Sequence, residues 1–204
     1  PEFMEELLEL AGNDANKKFP YDRLSNIARY FYEDGLQINA YSDVGQFASE
    51  IKVKTNVPER QVLKFLDKSK RLYDLTADVF LFKPLPKPKD FLKVKYFNTA
   101  LRSYELNAFT SMHQKNRSFF DDPRIVQLFD RYATYNGSNP YQTPATLNVI
   151  AHLEHNIGAY FPRKGMYQIV EVLYQMCLEK GVGFHFGQEV DGLVIKNNKI
   201  EGIK

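Results

Sequence analysis

The residues that could do chemistry in this chain are few, and most of them read in more than one way. His152 and His155 stand three apart in "AHLEH", on one helical face with Glu154 between them. A two-histidine metal site commonly uses i, i+4 spacing and needs further ligands, and none is evident nearby. Surface or cleft histidines on an amphipathic helix are the plainer reading. His113 and His185 are isolated, and Cys177 lies beside Met176 and Leu178, where a thiol serves as a small apolar filler. Gly181-Val182-Gly183 follows a helix and opens a strand, the reverse of the strand–glycine–helix order that cradles a pyrophosphate. It reads as a helix C-cap. No Ser-His-Asp, Cys-His or paired-carboxylate pattern stands out. What remains is aromatic. Phe119, Phe120, Phe129, Tyr132, Tyr135, Tyr141, Tyr160 and Phe161 gather between positions 119 and 161. Such a set builds either an ordinary core or the wall of a long apolar pocket.

These residues must be positioned by short elements with clear local signals. Ile27, Arg29 and Phe31 alternate with Ala28, Tyr30 and Tyr32, and Asp34-Gly35 then precedes Leu36, Ile38 and Ala40, which predicts a β-hairpin. Ser42-Asp43 caps a helix carrying Val44, Phe47, Ala48 and Ile51. Pro58 opens the next, with Val62, Phe65, Leu66, Leu72 and Leu75 on one face. "KPLPKPKD" at 83–90 is a stiff extended loop, either a plain connector or a basic lip (Lys83–Lys89) facing a membrane. Residues 91–118 read as an amphipathic helix. Asp121-Asp122-Pro123 starts another, with Ile125, Leu128, Phe129 and Tyr132 as its apolar stripe; "NGSNP" breaks it, and a further helix follows at 143–155. From Gly158 the pattern is a short strand, a turn, a helix over 166–180, a strand to Val190 and a closing β-hairpin. The fold class is α+β and mostly helical.

Composition narrows the function classes. With 27 basic and 25 acidic residues the net charge is +2, so no dense basic face calls for nucleic acid. A single cysteine excludes an internal disulfide framework and fits a reducing, cytoplasmic setting. No apolar run reaches the roughly 18 residues of a spanning helix. Pro1-Glu2-Phe3 ahead of Met4 reads as a cloning remnant. A helix that delivers a strand onto a sheet needs neighbouring strands, and few other candidates exist here. The chain is therefore expected to be a middle section of a larger enzyme.

Three stretches, "ARYFYEDGLQINAY", "RSFFDDPRIVQLFDRYATYNGSNPYQTPA" and "GAYFPRKGMYQIVEVLYQMCLEKGVGFHFGQEVDGLVI", resemble the phytoene desaturase family of carotenoid and retinoid oxidoreductases. The resemblance covers nearly all the chain from Phe19 onward. It implies a flavoprotein whose FAD adds or removes hydride across carbon–carbon bonds of a hydrophobic isoprenoid polyene. The N-terminal dinucleotide-binding unit and the C-terminal Gly-Asp flavin motif of that family are not present in these residues. The expected organisation is substrate-binding elements over 4–165 and a returning segment of the FAD-binding domain over 166–204. The rest of a parent chain and peripheral membrane contact are the expected partners. By the same resemblance, Glu189 and Val190 lie at the adenine end of FAD. The turn Lys164-Gly165-Met166 approaches the flavin or its ribityl chain, with Lys164 where the family commonly has the first of two glycines. Phe119, Phe120, Phe129, Tyr132, Tyr135, Tyr160 and Phe161 line the polyene channel. Alone, the chain is expected neither to hold FAD nor to turn over. Two other classes stay open: an autonomous lipid- or isoprenoid-binding module, and an amine-oxidase-type flavoenzyme, which a buried carboxylate or an aromatic cage would favour.

Overall fold

Local hydrogen bonds close the first hairpin. In the computed structural model, which describes residues 1–77, Phe82 and 103–204, β1 (Tyr21–Arg23) is followed by β2 (Asn26–Phe31) and β3 (Gln37–Tyr41). β2 and β3 pair antiparallel, Tyr30 opposite Ile38 and Phe31 opposite Gln37. The Tyr32 N–H donates to the Leu36 carbonyl, and the Gly35 N–H to the Tyr32 carbonyl, both at 3.0 Å. Gly35, at φ +82°, supplies the left-handed residue that this three-residue loop requires. Pairing turns Ile38 and Ala40 fully inward.

The chain divides into two compact units, residues 22–161 and residues 1–21 with 162–204. In the first, Asp43 caps α3 (Val44–Thr55), its carboxylate accepting from the Gln46 N–H at 2.7 Å. This places α3 third in chain order, after α1 (Glu2–Leu10) and α2 (Ala15–Lys18) of the other unit. Pro58 is the N-cap of α4 (Glu59–Thr76), which buries Val62, Phe65, Leu66 and Leu72. Ser111 and Gln114 form a reciprocal capping box on α5 (Met112–Arg117). Asp122 caps α6 (Pro123–Asp130) by accepting from the Arg124 N–H at 2.9 Å, and Pro123 takes the first turn. The chain continues as a 3₁₀ segment, Arg131–Asn136, that Gly137 ends at φ +62°. A last helical stretch winds three ways in turn: 3₁₀ at Ala145–Asn148, α7 (Val149–His152), and a π turn at Leu153–Ile157. The core joins the hairpin to α3, α4 and α6. At its centre the Phe129 ring lies 4.2 Å from that of Phe65 and 5.1 Å from that of Phe120.

One predicted helix is corrected. Of the amphipathic helix read over 91–118, the described part is broken: Ser103–Leu106 is a 3₁₀ turn, and α5 starts afresh at Met112. Asn107 at φ +51° cannot continue the helical ladder, and Phe109 points wholly into solvent. The loop 83–90, with its basic lip Lys83–Lys89, and the first part of that helix lie outside the described residues.

In the other unit, α1, α2 and α8 (Gln168–Glu179) share a small core of Leu8, Ala15, Phe19 and Val172. The short strand predicted after Gly158 is β4 (Tyr160–Pro162), of which Tyr160 and Phe161 close the 22–161 unit. α8 ends in a Schellman cap: Gly181 sits at φ +80°, its N–H donates to Leu178, and the Val182 N–H donates to Cys177. The strand predicted to run to Val190 does not form. Residues 182–190 have no ladder partner among the described residues, and a strand without one leaves its backbone to water. Phe184 and Phe186 stack on each other instead, and Tyr174 meets Phe184 edge-on at 4.7 Å. The closing hairpin does form, as β5 (Leu193–Lys196) and β6 (Lys199–Ile203), turned by Asn197 and Asn198, both at positive φ.

Candidate functional site

An apolar cavity of about 660 Å³ opens in the 22–161 unit, walled by Ile27, Ala28, Leu147, Val149, Ile150 and Leu153. Its charged groups, Arg131 and Glu154, belong to one cluster. Arg131, at the start of the 3₁₀ segment, reaches Glu154 in the π turn, its Nη2 donating to both carboxylate oxygens at 2.8 and 3.0 Å. Three tyrosines complete the group. Tyr132 and Tyr135 hydroxyls donate to Glu154 at 3.0 and 2.9 Å, and Tyr30 accepts from Arg131 Nη2 at 2.9 Å. The guanidinium carbon lies 5.3, 4.8 and 5.8 Å from the ring centres of Tyr30, Tyr132 and Tyr135. An aromatic cage thus exists beside a buried carboxylate, the arrangement that would favour an amine substrate, but the chain's own Arg131 fills it.

Proton counting orders the cluster. The Tyr132 hydroxyl lies 2.7 Å from His155 Nε2 as well as 3.0 Å from Glu154, and it has one hydrogen to give. With Glu154 ionised, that hydrogen goes to the carboxylate, and His155 Nε2–H donates to the hydroxyl oxygen. His155 Nδ1 is then a bare lone pair, buried without a partner, on a ring stacked 4.3 Å from Phe47. Burial pulls the Glu154 carboxyl upward, but the charge and hydrogen bonds of Arg131 outweigh it and hold it below the usual carboxylate range. Burial, reinforced by Tyr30 and Glu154, pushes the Tyr132 phenol well up. Burial drives the His155 imidazole down to about 4, against the attraction of Glu154.

That last shift has a pH consequence. Between about pH 6.5 and 4 the unfolded chain protonates His155 while the folded chain does not, so stability is full above that window and falls as the solution is acidified through it. Below it, protonation of Glu154 removes more, since its folded value is also depressed. Urea denaturation across this range should show the slope, and His155→Gln should remove most of the part above pH 4.

Both histidines of "AHLEH" are buried rather than at a surface or cleft rim: the helix carrying them packs against α4, and His152 leans on Tyr73 at 4.8 Å. Among the described residues no group of three or more His, Cys, Asp or Glu could hold a metal. The sequence-predicted aromatic residues are dispersed. Phe120, Phe129 and Tyr132 are fully buried in the core; Tyr135 lines the cavity. Phe119 faces a different hollow with Lys68 and Lys115, Tyr160 is half-buried, and Phe161 is exposed. Lys164, Gly165 and Met166 form a turn closed by the Gly165 N–H donating to Pro162 at 2.9 Å. Gly165 stands at φ +88°, and a Cβ there would meet nothing within 4 Å. An open glycine turn at the head of a helix leaves backbone accessible, which fits the edge of a flat cofactor. Glu189 and Val190 are exposed in irregular chain. Sequence reasoning missed Arg131, Glu154 and Tyr30. The available signal was the one charged residue in the helical stretch 145–157, Glu154, set between Leu153 and His155.

No family model matches the chain. Individual relatives do. It is 33% identical over 203 residues to a 1-hydroxycarotenoid 3,4-desaturase of Flavobacterium sp., covering 100% of this chain and 41% of that protein. It is 28% identical to a 4,4'-diapolycopene oxygenase of Methylomonas sp., covering 100% of this chain and 41% of that protein. It is 27% identical to a hydroxyneurosporene desaturase of Rhodobacter capsulatus, covering 98% of this chain and 40% of that protein. The chain spans about two-fifths of the length of these curated relatives. Over essentially its whole extent its curated homologues are phytoene-desaturase-like carotenoid desaturases and oxygenases.

Proposed function

We propose that this chain supplies the substrate-binding elements, and a segment of the FAD-binding domain, of an oxidoreductase that acts on carbon–carbon bonds of a hydrophobic isoprenoid or carotenoid. The observation that carries the reading is the apolar cavity walled by Ile27, Ala28, Leu147, Val149, Ile150 and Leu153, in a chain related throughout to enzymes named for carotenoid substrates. Such walls bind a polyene by removing apolar surface from water, at about 25 cal/mol per Å². The Arg131–Glu154 cluster, already internally paired, supports the wall rather than offering a charged anchor. FAD, when bound, would accept or deliver hydride. The residues proposed to hold it are the Lys164-Gly165-Met166 turn and Glu189-Val190. Phe119, Phe120, Phe129, Tyr132, Tyr135, Tyr160 and Phe161 remain the proposed aromatic contribution to the channel, with Phe120, Phe129 and Tyr132 acting from behind its surface.

The test uses the whole protein, purified and examined for flavin absorption, then assayed with a C40 polyene. We expect flavin in the whole protein and not in the 204-residue chain by itself. Leu153→Glu in the whole protein should leave the flavin spectrum intact and raise the apparent KM for the polyene about tenfold or more, because the wall would then hold a charge without a partner. An unchanged KM would remove this cavity from the channel. No flavin in the whole protein, even after FAD is supplied on refolding, would instead support an isoprenoid-binding module without redox chemistry.

A further inference from the structure

A second hollow in the 22–161 unit, about 630 Å³, gathers Lys64, Lys68 and Lys115 around Phe119. Lys64 and Lys68 stand one turn apart on α4, and Lys115 comes from α5. The Nζ atoms of Lys68 and Lys115 lie over the Phe119 ring, at 5.8 and 6.0 Å from its centre, and Phe65 pins that ring edge-on at 5.3 Å. The local acids do not neutralise them. Asp67 is taken by Arg71 at 2.7 Å, and Glu105 is the carboxylate that attracts Lys68. Among the described residues lining the hollow, with Asp67 and Arg71 set aside as a pair, three lysines face one glutamate, an excess of two positive charges.

Like charges one helical turn apart, or converging from two helices, cost stability. Burial first, and Lys115 second, push the Lys68 ammonium down to about 8. An anion that filled the hollow would relieve that strain, and relief of strain in the folded state is binding energy. The charge to be balanced and the number of converging N–H donors match a phosphomonoester, which carries −1.5 to −2 near neutral pH and three acceptor oxygens. A carboxylate offers half the charge and two oxygens. We propose that this hollow binds a phosphomonoester group between the ammonium groups of Lys68 and Lys115, which the Phe119 ring beneath them holds in place. The group could come from solution or from a lipid headgroup, and both present the same atoms. The site is independent of the polyene cavity.

The experiment has two arms and one variant, Lys68→Gln with Lys115→Gln. In the first, thermal unfolding of the full chain is followed with inorganic phosphate against sodium chloride at equal ionic strength. In the second, the chain is sedimented with phosphatidylcholine vesicles with and without phosphatidic acid. A phosphate-specific rise in Tm supports a soluble ligand. Sedimentation that requires phosphatidic acid supports a headgroup. The affinity behind either response should fall about twenty-five-fold in the variant, about fivefold for each lysine removed. Because removing both repelling lysines relieves strain, the variant should unfold no earlier than the parent chain, which separates lost binding from lost fold. No response in either arm, or a response that the variant keeps, overturns the proposal.

Discussion

Phe129→Ala is expected to destabilise the 22–161 unit by about 4 kcal/mol, read as a drop in the urea midpoint at unchanged slope. Phe129 is fully buried and packs on Phe65, Phe120, Tyr132 and His155, so truncation deletes a ring that four other rings use as a wall. The cost combines lost burial with a cavity that stiff aromatic neighbours cannot close. Against a typical stability of about 5–15 kcal/mol this is a large fraction. Phe109→Ala is the control: that ring is wholly exposed, and its removal should shift the midpoint hardly at all. A loss below about 2 kcal/mol at Phe129 would show that the aromatic core collapses around the gap.

Glu154→Ala should cost about 3 kcal/mol, for a different physical reason. The side chain is 9% exposed and satisfies Arg131, Tyr132 and Tyr135 at once. Removing it strands a partly buried guanidinium, while the Tyr132 hydroxyl can turn to His155 Nε2 and the exposed Tyr135 hydroxyl to water. Glu154→Gln should recover part of the loss, because the amide oxygen still accepts although the charge is gone. The double variant Arg131→Met with Glu154→Leu should be markedly more stable than Glu154→Ala, since an apolar pair leaves no buried charge unpaired. If the double variant is as unstable as the single one, the cluster's worth lies in its hydrogen bonds and not in avoiding an orphaned charge. The comparison needs the parent chain and the three variants measured in one buffer at one pH, chosen above the His155 window.

Much of the scaffold was legible because its signals are local. Asp34-Gly35, Ser42-Asp43, Asp122-Pro123 and Gly137 each act within a few residues, and each does so in the structure. The break at Asn107 was not legible, because asparagine in a left-handed conformation leaves no mark on an apolar stripe. The predicted strand to Val190 reflected a composition suited to a sheet, but a strand is a pairing and not a property of one segment. The Arg131–Glu154 cluster was illegible for a related reason. Its hydrogen bonds join Tyr30 to Arg131 across 101 positions and Arg131 to Glu154 across 23, so no window along the sequence contains it. The aromatic set was visible as residues, whereas its division between core, cavity and surface depends on which side of each helix packs first.

The π turn at Leu153–Ile157 makes chain length part of this arrangement. A π turn holds one residue more than an α turn, so it behaves as an insertion already accommodated in the helix. It presents Glu154 and the adjacent His155 to the same Tyr132 hydroxyl. Loss of one residue here would return the segment to an α ladder, with the chain after it still in register but one residue fewer facing Tyr132. Both partners of Tyr132 could not then be kept together. A one-residue gap at this point would therefore act on the Tyr132 cluster and leave the helix around it intact.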